Sequence, residues 1–307
     1  MPEGHTLHRL AAAYREAFAG RVTHSSSPQG RFAAEAALLD GRVLLDAEAY
    51  GKHLFCRFDP RPGAAPADAT APIVHVHLGL LGKVQFERFT EQPPEPVGAL
   101  RWRLLADPAE SAQPGEPETL GVAADLRGPT ACELVTPDQV DALLARLGPD
   151  PLRFGIDPLA DPDRGWQRIR RSPTPIAALL MDQKVAPGVG NIYRAEVLYR
   201  HRLAPMTPGK LIKPAEWQAI WDDLVTLMRQ GVETGRIDTV RPEHEPAAMG
   251  RAPREDRHGG EVYVYRRAGR PCLVCGTPIR LKELAGRNLF WCPKCQQVGA
   301  RRKTRAT

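Results

Sequence analysis

Between residues 3 and 19 the apolar positions Leu7, Leu10, Ala11, Tyr14 and Phe18 recur at helical spacing, which predicts an amphipathic helix. Pro2 and Glu3 suit its first turn. Beyond it the pattern changes. Short strand-like runs at 42–46, 53–58, 73–78, 83–89, 100–105 and 120–124, each bounded by turn residues, predict a β-sandwich or barrel. Three segments rich in Pro, Ala and acid, 59–72, 91–98 and 107–118, interrupt these runs and read as loops, because proline cannot donate to a ladder. They are expected to be variable insertions without function. From Thr136-Pro137 onward the helical period returns. Helices are predicted at 137–147, 161–171, 175–184, 191–202 and 214–231, with proline near the first turn after Asp161, Thr174 and Lys213. Residues 235–260 are polar and read as a long loop. A strand-like run, Glu261–Arg266, leads into a cysteine-rich end.

Composition narrows the class. At 307 residues the chain is long enough for about two domains and a core that needs no disulfide. No stretch approaches the ~18 apolar residues of a membrane span, and the start lacks the basic-then-apolar order of a secretory signal. A reducing, cytoplasmic setting is expected, with no membrane partner. Charge is unevenly placed. Residues 261–307 hold 11 Lys/Arg against 2 Asp/Glu, whereas residues 1–260 hold 31 against 34. Such a basic tail beside a near-neutral body points to an acidic polymer, nucleic acid first, or else to a merely solvated tail.

Four of the six cysteines lie in that tail. Cys272-x-x-Cys275 is followed, after 16 residues, by Cys292-x-x-Cys295. Two matched CxxC turns in a reducing compartment predict one zinc ion held by four thiolates. Four thiolates leave no open coordination position, so the ion is expected to be structural.

Other residues carry candidate chemistry. Removal of Met1 before a small residue would leave Pro2 with a free secondary amine, a nucleophile for an electrophilic carbon. A helix N-terminus disfavours the ammonium form, and Glu3 stands next to it as a candidate acid or base. Taken alone, a Pro-Glu start is far more often simple helix capping. In residues 181–194, MDQKVAPGVGNIYR, Gly188 and Gly190 permit a tight turn and Asn191 opens a helix. Amides there form an anion site suited to a duplex phosphate, or an ordinary glycine connection. His77-Leu78-Gly79-Leu80-Leu81-Gly82 is a strand entering a turn, whose apolar tip is either a wedge for a base stack or a cover for the core. Lys52, after Gly51, reads as a phosphate contact or a solvated lysine.

Taken together, the segments PEGHTLHRLA, YGKHLF, HVHLGLLGKV, LGPDPL, ALLMDQKVAPGVGNIYRAEVLYRHRLAP and VYRRAGRPCLVCGTPIRLKELAGRNLFWCPKCQ resemble, in order and over nearly the whole chain, the formamidopyrimidine-DNA glycosylase/endonuclease VIII family. The resemblance implies an α+β chain with an N-terminal helix plus β-sandwich, a helix–two-turn–helix domain and a C-terminal zinc finger. The corresponding divisions are 1–135, 136–234 and 235–307. It implies a bifunctional DNA glycosylase/AP lyase of base excision repair, a monomer acting on damaged double-stranded DNA near the nucleoid.

The resemblance also assigns roles. Pro2 would attack C1′ and Glu3 would protonate the sugar ring oxygen. Lys52 and Asn191 would hold phosphates around the extruded nucleotide, with Arg287 in the zinc-finger loop gripping the same backbone. Leu80 would fill the vacated space and Arg127 would meet the orphaned base. Cys272, Cys275, Cys292 and Cys295 would fix the loop through zinc. Extrusion is needed because C1′ is unreachable in a stacked duplex. Thr6 stands where the formamidopyrimidine branch has Glu, and Gly128-Pro129 follows Arg127 where that branch has a wedge phenylalanine. The start is closer to the endonuclease VIII branch, which implies oxidised pyrimidines as substrates. Two other readings remain at this level: a non-catalytic zinc-finger DNA-binding protein of the same fold, and an RNA- or ribosome-associated zinc-ribbon protein.

Overall fold

The computed structural model describes residues 2–60, 71–108, 120–255 and 260–297. Met1, most of the predicted loops at 59–72 and 107–118, and the basic stretch Arg301–Arg305 lie outside the described residues. The chain divides into two compact units, one of Met1–Pro2 and Thr6–Ala145, the other of Glu3–His5 and Arg146–Thr307.

Helix α1 (Gly4–Phe18) has the predicted face. Leu7, Ala11, Tyr14 and Phe18 are buried and Leu10 packs against the same core. The strands of the first unit are β1 (Val22–Ser26), β2 (Arg42–Tyr50), β3 (His53–Phe58), β4 (Ile73–His77), β5 (Lys83–Phe89), β6 (Leu100–Ala106), β7 (Gly121–Arg127) and β8 (Ala131–Val135), with α2 (Ala33–Leu39) between β1 and β2. All named strand pairs here are antiparallel. The strand order is β5-β7-β6-β1-β2-β3-β4-β8. Only Val22↔Val43 and Thr23↔Arg42 join β1 to β2. At that thin seam the order parts into two four-stranded layers of a sandwich, and the inward residues of both layers share one apolar core. Trp102 sits in its middle, stacked on Tyr14 at 5.9 Å between ring centroids, with its indole N–H donating to Ser25 Oγ at 3.0 Å. Helix α3 (Pro137–Leu144) closes the unit from a capping box in which Thr136 and Gln139 each satisfy the other's backbone.

Three elements escape the apolar pattern. The inward positions of β1 are Thr23 and Ser25, polar residues buried because each makes a hydrogen bond, Thr23 to the Arg42 carbonyl at 2.8 Å. β8 buries Cys132 but leaves its other positions at least partly exposed. α2 is an alanine-rich stretch without a strong period.

The second unit holds α4 (Pro162–Ile169), α5 (Ile176–Leu179), α6 (Asn191–Arg200), α7 (Pro214–Thr234), α8 (Pro246–Met249) and the hairpin β9 (Arg280–Leu284)–β10 (Arg287–Trp291). α6 and α7 supply much of its core through Tyr193, Val197, Leu198, Trp217, Trp221 and Leu224, and the cluster continues into Ile279, Leu289, Phe290 and the cysteines. The helix expected at 175–184 is a single turn. Beyond it the Asp182 carboxylate accepts from the Lys184 amide at 2.9 Å, and the Gln183 side chain from the Gly188 amide at 2.9 Å. Such side-chain bonds offer the backbone an alternative to the helix.

The strand expected at Glu261–Arg266 is absent. The Glu196 carboxylate instead accepts the amides of Tyr263, Val264 and Tyr265 at 2.7–2.8 Å and the Thr239 hydroxyl at 2.7 Å. One buried side chain thus does the work of a partner strand. The 235–260 segment is not wholly loop either, since it contains a short turn at Pro242–His244 and α8.

Candidate active site and metal centre

The turn at residues 181–190 delivers α6 with its N-terminal amides exposed to a ligand, as an anion site requires. The anion is the protein's own. Glu3 is fully buried, and its carboxylate accepts the amides of Gly190 at 3.0 Å, Ile192 at 2.7 Å and Tyr193 at 3.3 Å. Charge-assisted bonds of this kind stabilise the carboxylate, and the helix dipole adds to them. Glycine is required at 190 because a Cβ there would overlap the Glu3 side chain. The Gly4 amide donates to the Gly188 carbonyl at 2.8 Å, which fixes the backbone next to Pro2. Burial, with Glu3 as a nearby negative charge, pushes the Tyr193 hydroxyl well above its ordinary value. The backbone amides predicted to hold phosphate are therefore bonded to Glu3 in this structure.

Asn191 Nδ2 donates to the Asn288 carbonyl at 2.8 Å, which joins the start of α6 to the β9–β10 hairpin. The hairpin turns over two residues, Ala285 and Gly286, both at positive φ (50° and 71°), with Leu284 paired to Arg287. This is the geometry of a primed two-residue turn. It places Arg287 exposed at the first position of β10, while Leu289 and Phe290 are buried. Asn191 and Arg287 are thus drawn to the same hairpin. Arg194, beneath them, is a site neighbour that the sequence pattern gives no reason to single out, because α6 buries nearly every residue.

The four cysteine sulfurs lie within 4.8 Å of one another, with Cys272–Cys295 at 3.9 Å and Cys275–Cys292 at 3.5 Å. A tetrahedron with zinc–sulfur bonds of about 2.3 Å has edges of roughly 3.8 Å, so the set fits one zinc ion. The Tyr199 hydroxyl lies 3.0 Å from Cys272 Sγ and supports that ligand from outside.

In the first unit three predicted residues share one end of the sandwich. Lys52 follows Gly51 (φ 57°) in the two-residue turn between β2 and β3. His53 pairs with His77, the residue that enters the Leu78–Gly82 turn. Lys83 after that turn pairs with Arg127 at the end of β7. The turn itself needs glycine at 79, where φ is 65° and a Cβ would overlap the Thr130 side chain. It presents two apolar side chains to solvent, Leu80 at 54% and Leu81 at 86% exposed. Arg127 is tied down, donating to the Val97 carbonyl at 3.1 Å and to Asp125 at 3.2 Å. Next to Lys52 lies a chain the motifs did not reveal: Glu133 Oε1 to His75 Nδ1 at 3.0 Å, and His75 Nε2 to His53 Nδ1 at 2.9 Å. Burial, then His75 and Lys52, lower the pKa of His77. Pro2 is half-buried and adjoins Glu3 in sequence.

Among the described residues no helix is long and apolar enough to cross a membrane. Family models match the formamidopyrimidine-DNA glycosylase N-terminal domain over residues 1–121, the formamidopyrimidine-DNA glycosylase H2TH domain over 147–242, and the zinc finger found in FPG and IleRS over 269–298. The chain is 48% identical to Endonuclease 8 1 of Mycobacterium tuberculosis over 298 residues, 96% of this chain and all of that protein. It is 30% identical to the probable endonuclease 8 2 of Streptomyces coelicolor over 307 residues, 96% of this chain and 94% of that one. Among solved structures it resembles the MutM (Fpg) protein of Thermus thermophilus, at TM-score 0.66 and 26% identity over 96% of this chain and 98% of that one. The Lactococcus lactis Fpg complex with DNA containing an abasic site shares the fold, at TM-score 0.68 and 19% identity over 96% and 100%. With full-length relatives, matched domain models and a four-cysteine zinc finger in agreement, the chain belongs to the formamidopyrimidine-DNA glycosylase/endonuclease VIII family, DNA glycosylases with AP lyase activity.

Proposed function

We propose that this enzyme of base excision repair acts on oxidised pyrimidines in double-stranded DNA, and that Pro2 is its nucleophile. The observation that carries the reading is the placement of Glu3. A carboxylate is locked onto three amides at the start of α6, immediately after the residue whose amine would react. Once Met1 is removed, the Pro2 nitrogen attacks C1′ of the extruded nucleotide. The C1′–base bond breaks and the base leaves with the bonding pair. Glu3, held as carboxylate, takes the proton released by the amine and returns it to the ring oxygen as the C1′–O4′ bond opens. The product is an iminium between Pro2 and C1′. It acidifies the 2′ hydrogen, whose loss expels the 3′ phosphate, and a second elimination expels the 5′ phosphate. Hydrolysis then frees the amine.

The remaining residues bind. Lys52, Asn191 and Arg287 hold phosphates, and the zinc site fixes the hairpin that carries Arg287. Leu80, with Leu81 beside it, enters the space left by the extruded base, and the contacts made to the backbone offset the cost of unstacking. Arg127 meets the opposite base by exchanging its bonds to Asp125 and Val97. The work divides as residues 1–135 for chemistry and wedge, 136–234 for the helical grip, and 235–307 for the zinc finger. The protein acts as a monomer at the nucleoid.

Borohydride trapping tests the assignment. Duplexes carrying an oxidised pyrimidine, 8-oxoguanine or an abasic site are incubated with the protein and reduced. A covalent adduct mapped to residue 2, formed faster with the oxidised pyrimidine than with 8-oxoguanine, is expected. No adduct from any duplex overturns the nucleophile, and faster trapping with 8-oxoguanine overturns the substrate class.

A further inference from the structure

Arg194 is the fourth residue of α6 and is fully buried. Its hydrogen bonds go to neutral oxygens. Nη2 donates to Asn191 Oδ1 and, at 3.1 Å, to the Asn288 carbonyl, while Nη1 donates to the Ala177 carbonyl at 3.4 Å. Nε has no partner among the described residues. Burial lowers its pKa to about 10, with Glu3 opposing that shift and Arg287 adding to it. A buried cation bonded only to neutral groups is costly, and an apolar side chain of similar volume would avoid that cost. Stability alone gives no reason for an arginine here.

The geometry supplies one. A carboxamide has an acceptor end and a donor end, and only the acceptor end can meet a guanidinium. With Oδ1 turned to Arg194, Nδ2 of Asn191 must face the other way. One of its protons goes to the Asn288 carbonyl at 2.8 Å. The second has no acceptor among the described residues. A flipped amide would present its oxygen to the phosphate and repel it. Arg194 also grips the same Asn288 carbonyl, one residue from Arg287, so a single side chain sets both the amide and the root of the hairpin.

We infer that Arg194 is a positioning residue for DNA binding: it fixes the donor edge of the Asn191 carboxamide toward phosphate and locks that amide to the hairpin carrying Arg287. This rests on the reading of Asn191 as a phosphate contact. In this reading Arg194 itself makes no contact with the DNA.

A double-mutant cycle on the full-length, zinc-loaded protein tests it, with Kd measured for a duplex holding a stable abasic analogue. Arg194→Met and Asn191→Ala are each expected to weaken binding about tenfold, the scale of a lost charge-assisted hydrogen bond. The double variant is expected to be no more than about twofold weaker than the worse single, because both changes remove the same contact. Arg194→Lys retains the cation but lacks the planar fork that serves two acceptors, and is expected to bind with intermediate affinity. It also serves where Arg194→Met fails to hold one zinc per chain. Losses that multiply to about a hundredfold overturn the inference, as does wild-type affinity in either Arg194 variant. Wild-type affinity in Asn191→Ala overturns the phosphate reading itself, and the inference with it.

Discussion

At the scale of single residues, the free amine of Pro2 is the most exacting requirement of the proposed chemistry. An N-terminal extension, or retention of Met1, turns that nitrogen into an amide whose lone pair is delocalised. Trapping with an abasic duplex is expected to fall at least a hundredfold in a tagged protein and to return when the tag is cut exactly before Pro2 by a protease. A tagged protein that still traps at the untagged rate contradicts the assignment. Pro2, Glu3 and Lys52 are visible in sequence because each sits in a short motif with its own chemistry. What Glu3 does in the fold is not visible there, since its partners stand 187–190 residues away. The sequence points to the amides at the start of α6 as an anion site, and the anion they hold in the fold is the Glu3 carboxylate. Arg194, Glu196 and the His53–His75–Glu133 chain stay hidden for a related reason. Each is an isolated polar residue whose meaning comes from long-range partners.

At the scale of elements, apolar periodicity locates those that bury apolar side chains and misses those that bury polar ones. α1, β2 to β7, α4, α6 and α7 follow their patterns closely. β1 does not, because Thr23 and Ser25 face inward, and Glu261–Arg266 looks like a strand yet pairs with a carboxylate. Charged groups also join helices. Asp223 on α7 accepts from Arg200 on α6 at 2.7 and 2.8 Å and from His201 at 3.1 Å. Burial alone would raise its pKa, but bonds from His201 and Arg200 bring it down to about 2 from 3.8. A carboxylate with a depressed folded pKa stabilises the fold above its unfolded value and loses that contribution as pH falls. The window here runs from about pH 4 down to about pH 2, and the contribution is about 2 kcal/mol. Chemical unfolding monitored between pH 6 and 2 is expected to show a shallower acid loss in Asp223→Asn than in the unchanged protein. Equal slopes would show that the pair does not couple to stability.

At the scale of the whole molecule, two cores divide the consequences of damage. Cys272, Cys275, Cys292 and Cys295 belong to the core of the second unit, together with α6, α7 and the hairpin residues Leu289 and Phe290. The sandwich has its own core around Trp102. Replacing Cys292 with Ala is expected to release zinc, measured as metal per chain, and to weaken lesion-duplex binding at least tenfold. The cooperative unfolding signal of the sandwich is expected to persist. Normal affinity without zinc would remove the hairpin from the binding surface. Charge belongs to this scale too. A net +6 over 307 residues looks modest, and the body before residue 261 is slightly acidic. Binding by a few placed cations needs no more than that, because affinity for a duplex follows the number of phosphates contacted rather than overall charge.

The anchoring of Glu3 on α6 has a temporal side. A contact spanning 187 residues cannot form until the far segment has been made and folded, and closing so long a loop carries an entropic cost that shorter contacts avoid. A nascent chain therefore carries Pro2 and Glu3 from the start and acquires the carboxylate's seat only once residues 190–193 have been made. The sandwich has a core of its own, whereas Glu3 finds its partners only when the start of α6 has closed on the chain's own beginning. On the proposed reading, a chain that ends before the start of α6 has no seat for Glu3 and is expected to give no adduct in borohydride trapping.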